Sequence, residues 1–111
     1  MKYTHESTNS SFTVKDRPTV MEQMGYSNLL FENRNENNFW RNWVAAIGMV
    51  SDWDSKVIED PNKVFKQKPE GHTDGGLFLD EETNPEVLHL IMFVGNTAMV
   101  HISSLENVEK N

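Results

Sequence analysis

The sequence predicts a mainly α protein, a small helical domain of about three helices with an N-terminal β-hairpin and a long loop between the second and third helices. Three observations support this fold class: a helix-capping pattern near residue 19, a helical spacing of aromatic residues after residue 38, and a capped apolar segment after residue 84. The chain of 111 residues is long enough for one modest core, so we expect a single domain over 1–111. The predicted parts are a hairpin over 1–17, helices over 19–32, 38–53 and 85–106, and a flexible loop over 54–84.

Two short segments near the N-terminus favour strands. "KYTHE" and "FTVKD" flank the cluster "STNSS", whose residues are common in turns. Phe12 and Val14 alternate with polar residues, so one face of the second strand is apolar. The pattern predicts a β-hairpin.

The first helix is predicted from its start signal. Thr19 precedes Glu22 by three residues, which is the spacing of a capping box, in which each side chain hydrogen-bonds the other residue's backbone N–H. Gly25 weakens the middle of the helix by roughly 1 kcal/mol relative to alanine. The apolar stripe is imperfect and consists of Val20, Met24, Leu30 and Phe31.

All three tryptophans lie in "FWRNWVAAIGMVSDWD", which Asn37 or Asn38 is suited to cap. Spacings of four, three, four and three residues, typical of one helical face, connect Phe39, Trp43, Ala46, Val50 and Trp53. We expect Phe39, Trp43 and Val50 to form the core with the last helix. On the opposite side, Ala45 and Gly48 are small enough to let another chain approach closely.

The following segment has no helical period. It contains Pro61, Pro69, Gly71, Gly75 and Gly76. Connections of this length inside a compact domain are usually functional or mobile, so the sequence predicts a flexible loop over 54–84.

The last predicted helix has the strongest start signal, because Asn84 is a good N-cap, Pro85 suits the first helical position and Glu86 suits the positive end of the helix dipole. The helix is apolar on nearly every face. This surplus favours self-association or partner binding, because a small domain has little surface with which to cover such a helix. The predicted partner-binding residues are Met92, Phe93, Met99 and Val100, with Ala45 and Gly48 in a secondary role.

Composition argues against several classes of protein. The formal net charge of −7 and the scattered Lys and Arg residues disfavour nucleic-acid binding. The absence of cysteine excludes disulfides and a thiolate nucleophile. The N-terminus lacks the apolar run of a signal peptide, and the longest apolar run, "LIMFVG", is far shorter than the roughly 20 residues that span a bilayer. We therefore expect no membrane partner and a cytoplasmic protein.

No pattern indicates catalysis, a cofactor or a metal. "GHTDGG" lacks the Lys and the following helix of a phosphate-binding loop. His89 and His101 are twelve residues apart, about three helical turns, which is too far to share a metal ion. "DWDSKVIED" lacks the ligand order of a calcium loop. A non-enzymatic protein without cofactor is expected.

The order of these elements resembles the tail assembly chaperones of long-tailed bacteriophages of the siphophage type. The likeness covers roughly 12–111 and consists of "FTVKDRPTVMEQ" leading into a capped helix, an aromatic helix ending in "DWD", and an Asn-Pro-capped helix closing in "SLENVEKN". It implies a protein in the host cell cytoplasm that coats the tape measure protein and recruits tail tube subunits. It implies no catalytic residues.

Two other functions remain open. A small acidic protein can inhibit a DNA-binding defence enzyme by presenting carboxylates in place of nucleic-acid phosphates, and this requires a continuous acidic stripe. The acidic residues here are spread over helix ends and loops, and Lys63, Lys66 and Lys68 interrupt the long loop. The other alternative is a minor connector component of the virion.

The resemblance also implies two product lengths, because many such chaperones have a minor extended form made by a ribosomal slip near the end of the gene. Glu109, Lys110 and Asn111 can be encoded as GAA AAA AAC or GAA AAA AAT, either of which contains a slippery heptamer. The hypothesis requires those codons and an overlapping frame in the −1 register. A GAG or AAG codon at 109 or 110 contradicts it.

Overall fold

The computed structural model describes residues 1–73 and 75–109, with side-chain surroundings through Ser104. It contains three helices, a three-stranded antiparallel sheet and a separate two-stranded sheet, and 48% of the chain is helical. The prediction of a mainly α fold is therefore wrong, and the protein is a mixed α/β domain. The element bounds are β1 Lys2–His5, β2 Ser10–Val14, α1 Val20–Glu32, α2 Asn38–Ile47, β3 Val50–Asp54, β4 Val64–Phe65, β5 Leu77–Phe78 and α3 Pro85–Glu109, with 3-10 turns at Glu6–Thr8 and Pro61–Lys63.

The first two strands form an antiparallel hairpin in which Tyr3 pairs with Phe12. Asn9 closes the turn with a φ of 52°, in the left-handed region that asparagine tolerates. Phe12 and Val14 are completely buried, because alternate residues of β2 face the helices.

The third strand is the largest departure from the sequence prediction, which extended the second helix over 38–53. The helix ends at Ile47, and the chain turns back at Gly48 to lie antiparallel to β2. Val50 and Trp53 both pack on the core, although three residues separate them and a regular strand would place them on opposite faces. A bulge explains this, since β3 has one more residue than β2 over the same stretch and Asp52 has a φ of 51°. The bulge returns Trp53 to the inner face and so reproduces a helix-like spacing in a strand.

The segment predicted as a loop over 54–84 contains one 3-10 turn and the parallel pair β4 and β5. The rings of Phe65 and Phe78 stack with centroids 5.6 Å apart, and the ring of His72 meets both at their edges. Ile58 and Val64 are buried in the main core. The segment predicted as a flexible loop thus contains short regular elements, and its apolar residues pack on each other and on the core.

The main core lies where the sheet packs against α2 and α3. Its completely or almost completely buried members are Phe12, Val14, Trp43, Ala46, Leu90, Val94 and Ala98. The helices α2 and α3 run in the same direction, since Asn42 lies against Gly95 and Ala45, farther along α2, packs in one cluster with Ile102. A smaller cluster joins α1 to these two helices and contains Tyr26, Ala45, Met49 and Ile102.

By length and composition alone, the part of α3 between Pro85 and Ser104 is long and apolar enough to cross a membrane, with a mean hydropathy of 1.4. The length of this apolar segment was not apparent from "LIMFVG", the longest uninterrupted apolar run, because isolated polar residues divide the segment. The core helix of a soluble protein meets the same criterion. One row of α3 is indeed buried in the core, and the absence of a membrane partner stays a prediction.

The predicted capping box of α1 is confirmed. Because it contains the carboxylate of Glu22, it makes the stability of the fold depend on pH. Thr19 Oγ1 accepts a hydrogen bond from the Glu22 N–H at 3.1 Å, and the Glu22 carboxylate accepts one from the Thr19 N–H at 3.0 Å. Hydrogen bonds from Lys15 and then from Thr19 lower the pKa of Glu22 from 4.5 to about 2. The carboxylate therefore stabilises the fold fully above pH 4.5, and this contribution is lost as the pH falls toward 2.

We expect Glu22→Gln to remove this part of the acid dependence. Measured by urea unfolding, the wild-type free energy of unfolding should fall more steeply than that of Glu22→Gln between pH 4.5 and 2. Glu32→Gln, at the other end of α1, is the matched control. Parallel pH profiles for wild type and Glu22→Gln would contradict the prediction.

Candidate partner-binding surface

The last helix has more apolar faces than the core can cover. Its inward row contains Val87, Leu90, Ile91, Val94, Ala98 and Ile102, all buried. Of the predicted partner-binding residues, Val100 is 62% exposed and Met99 36%, while Met92 and Phe93 are half-buried. Apolar side chains therefore continue on both sides of the buried row.

One side of α3 borders an open groove that reaches the first strand, here called the α3–β1 groove. Its volume is about 580 Å³. The lining residues are Met1, Tyr3, Phe93, Asn96, Thr97, Val100, His101 and Ser104. Apolar walls with a few polar groups at the rim are typical of a surface that takes another chain.

The Tyr3 wall of this groove is held by contacts on two sides. Its ring stacks on Phe12 with centroids 5.8 Å apart, and its hydroxyl is 3.1 Å from Nδ1 of His101. Burial of the phenol and, less strongly, the negative charge of Asp16 raise the pKa of Tyr3 above 10.0. The hydroxyl is therefore protonated at neutral pH and provides a fixed polar group beside an apolar wall.

Asp16 and the N-terminal ammonium group of Met1 form an ion pair beside the α3–β1 groove. The ammonium nitrogen of Met1 donates hydrogen bonds to Asp16 Oδ1 at 2.6 Å and to the Val14 carbonyl at 2.7 Å. This hydrogen bond is the main reason that the pKa of Asp16 is lowered. The carboxylate stays charged near His101, whose Nε2 lies 4.0 Å from Oδ1.

A second apolar groove, the α2–α3 groove, lies where these two helices begin, with a volume of about 400 Å³. Its lining residues are Asn37, Phe39, Trp40, Leu79, Glu82, Val87, Leu88 and Ile91. Phe39 was expected in the core, but it is half-buried and lines this groove because it lies at the first turn of α2, beyond the sheet. Leu88 is 48% exposed and continues the groove onto the surface of α3.

The two secondary partner-binding residues do not belong to either groove. Ala45 is 1% exposed, because α1 of the same chain covers it. Ala45 was expected to let another chain approach, but the segment that packs on it is α1 of the same chain. Ala45 is therefore not part of an exposed partner-binding surface. Gly48 is exposed, and a Cβ added there would meet no atom within 4 Å, so it makes no close approach to anything.

Sequence reasoning missed three features of the exposed surface. Tyr3 was not connected to α3, because 98 residues separate it from His101. Phe39 was assigned to the core, but it lines the α2–α3 groove. The stripe of α1 was treated as one face, whereas Val20, Met24 and Phe31 are exposed. The four-residue step from Tyr26 to Leu30 was the available signal for the side that packs on the domain.

Within the described ranges, no group of three or more His, Asp or Glu side chains could hold a metal ion. Comparisons of the chain with known protein families, with curated proteins and with solved structures found no match.

Proposed function

We propose that the protein is a non-enzymatic binding protein that holds an apolar helical segment of another protein in the α3–β1 groove. The observation that carries this proposal is the exposed Val100 beside half-buried Phe93 and Tyr3, which together form an apolar wall outside the core. Its specific form is a phage tail assembly chaperone whose client is the tape measure protein and which helps to recruit tail tube subunits.

The shape and polarity of the groove favour a helix as its occupant. α3 forms one wall of the groove from Phe93 to Ser104, about three helical turns. An amphipathic helix buries its apolar face in such a groove and leaves its polar face in water. Asn96, Thr97 and Ser104 line the groove among its apolar residues and can hydrogen-bond the polar flanks of a client.

The chaperone form rests on the resemblance alone, and the structure bears only on the local elements in which its sequence features lie. The Thr19 capping box leads into α1, and Asn84 caps α3, accepting a hydrogen bond from the Glu86 N–H at 2.9 Å. The remaining feature differs, because "DWD" lies in β3 and not at the end of a helix. The net charge of −7 suits a protein that works as many copies on one client, since like charges keep crowded copies apart.

The inhibitor alternative is less favoured by the placement of carboxylates. Such a protein needs unpaired acidic groups in a continuous stripe. Here Glu22 is paired with Lys15 and Glu36 with Lys66, on different parts of the chain. The hypothesis of an extended product concerns the last residues, of which Lys110 and Asn111 lie outside those described.

The double variant Met99→Glu, Val100→Glu tests the proposal, since Val100 lines the α3–β1 groove and Met99 is the exposed apolar residue next to it in the sequence. Both side chains are exposed, so the protein should fold with an unchanged far-UV circular dichroism spectrum. Co-expressed with the tape measure protein of the same genome, it should keep at least about tenfold less client soluble, since an unpaired carboxylate buried against apolar groups costs more than roughly 1.4 kcal/mol.

The matched control is His89→Glu, Ser103→Glu, which adds the same charge to exposed positions of the same helix outside both grooves. This variant should keep the client soluble. Equal client solubility for the two double variants would refute the assignment of the groove, and unfolding of the first variant would show that these residues belong to the core.

A further inference from the structure

The first helix is apolar on two opposite sides. Its inner side, which includes Tyr26 and Leu30, packs on α2 and α3. The outer side carries some of the most exposed apolar residues of the described chain: Val20 at 72%, Met24 at 54% and Phe31 at 65%, flanked by Met21 at 76%. A single-domain protein gains nothing for its own fold from such a row, so a partner is the physical reason to have one.

The spacing of this outer row is that of a helix pair. Val20, Met24, Ser27 and Phe31 follow each other by four, three and four residues, and we call them the α1 outer stripe. This narrow stripe has the residue spacing of a two-stranded coiled-coil seam over fewer than two heptads, whereas a helix that lies on a broad core shows a wider apolar face. Ser27 is exposed and small, so it permits close approach near the middle of the stripe.

We propose that the α1 outer stripe pairs with α1 of a second copy of this chain, forming a two-fold symmetric dimer. The charges favour a copy over an unrelated acidic or basic helix. Segment 15–34 contains three basic and three acidic residues, so the whole net charge of −7 lies elsewhere in the chain. Two such segments therefore meet without net repulsion, although the rest of the two copies repel each other.

The size of the stripe sets the strength of the pairing. A stripe of four residues on a helix of 13 residues is small compared with the roughly 1,200–2,000 Å² that stable specific interfaces bury. A two-fold axis makes every contact occur twice, which is how a helix of 13 residues can provide enough area. The dimer is therefore weak and depends on concentration. The α1 outer stripe shares no residue with either groove of α3, so the dimer and the proposed function can be tested separately.

Sedimentation equilibrium over a range of concentrations tests the dimer. The wild-type protein should approach twice the monomer mass of 12.8 kDa as its concentration rises. Met24→Glu, Phe31→Glu should raise the dissociation constant at least about tenfold, since each buried carboxylate costs more than roughly 1.4 kcal/mol. Added salt should strengthen the wild-type dimer by screening the repulsion between the two acidic bodies.

The variant Met99→Glu, Val100→Glu is the control, because it adds the same charge to each copy outside the α1 outer stripe, and it should raise the dissociation constant far less than Met24→Glu, Phe31→Glu does. Because the chain has no cysteine, Ser27→Cys gives a unique thiol. A short bifunctional maleimide should cross-link it into dimers much faster than the thiol of Ser103→Cys on α3.

Three results would overturn the proposal: a wild-type protein that is monomeric up to its solubility limit, a dimer that the α1 variant does not weaken, or a dimer that only the α3 variant weakens. If the α1 variant loses the client while the wild type is monomeric, the stripe is a second client surface. If the α1 variant loses the dimer while the α3 variant keeps the client soluble, only the proposed function fails.

Discussion

Replacement of Trp43 by alanine should lower the free energy of unfolding by roughly 3–5 kcal/mol. The side chain is 2% exposed and lies where α2, α3 and the sheet meet. Its ring meets Trp53 edge to face with centroids 5.9 Å apart, so the substitution also removes an aromatic contact. Neighbouring helices can only partly collapse into the space, because β2 is held between β1 and β3.

Urea unfolding followed by circular dichroism measures this effect, since Trp53 fluorescence would itself change. Trp40→Ala, in the half-buried wall of the α2–α3 groove, removes the same group from the same helix and should cost clearly less. An unfolding curve for Trp43→Ala that matches the wild type would mean that this face of α2 is not in the core.

Gly95→Ala should destabilise the domain by about 1–3 kcal/mol, although alanine is the better helix former. A Cβ at this position would lie 2.7 Å from Cβ of Asn42 and 3.1 Å from the backbone nitrogen of Trp43. These atoms belong to the body of α2 and cannot rotate away. The two helices would have to separate, which loosens the contacts of Trp43 as well.

Gly25→Ala, in α1, should instead stabilise the domain. A Cβ at Gly25 would meet no atom within 4 Å, so the variant should be more stable than wild type by up to about 1 kcal/mol. Thermal unfolding of both variants and of the wild type measures these two opposite changes in stability. A Gly95→Ala protein as stable as Gly25→Ala would contradict the close contact between α2 and α3.

The local signals of the sequence predicted helix starts well. The Thr19 capping box and the Asn84 cap are interactions within one turn of chain, so a few residues determine them. The burial of Trp43 also followed from its helical spacing with Ala46. Each of these predictions depends on neighbours no more than four residues away.

The missed elements depend on partners that are distant in sequence. β3 forms because Val14 pairs with Val50 and Thr13 with Ser51, and its bulge imitates the spacing of a helix. The pairing of Phe65 with Phe78 joins two residues on either side of a turn-rich stretch. The α3–β1 groove could not be predicted either, because it needs Tyr3 of the first strand beside Val100 of the last helix.

The order of elements, with α3 after every other part of the core, also governs when the core can form. Phe12 and Trp43 are synthesised long before Leu90 and Val94, which cover them in the finished core. A nascent chain that has reached residue 84 therefore exposes apolar surface with no local partner. The core therefore closes only after α3 has been synthesised, and because its parts are distant in sequence, closure of the long intervening chain slows folding.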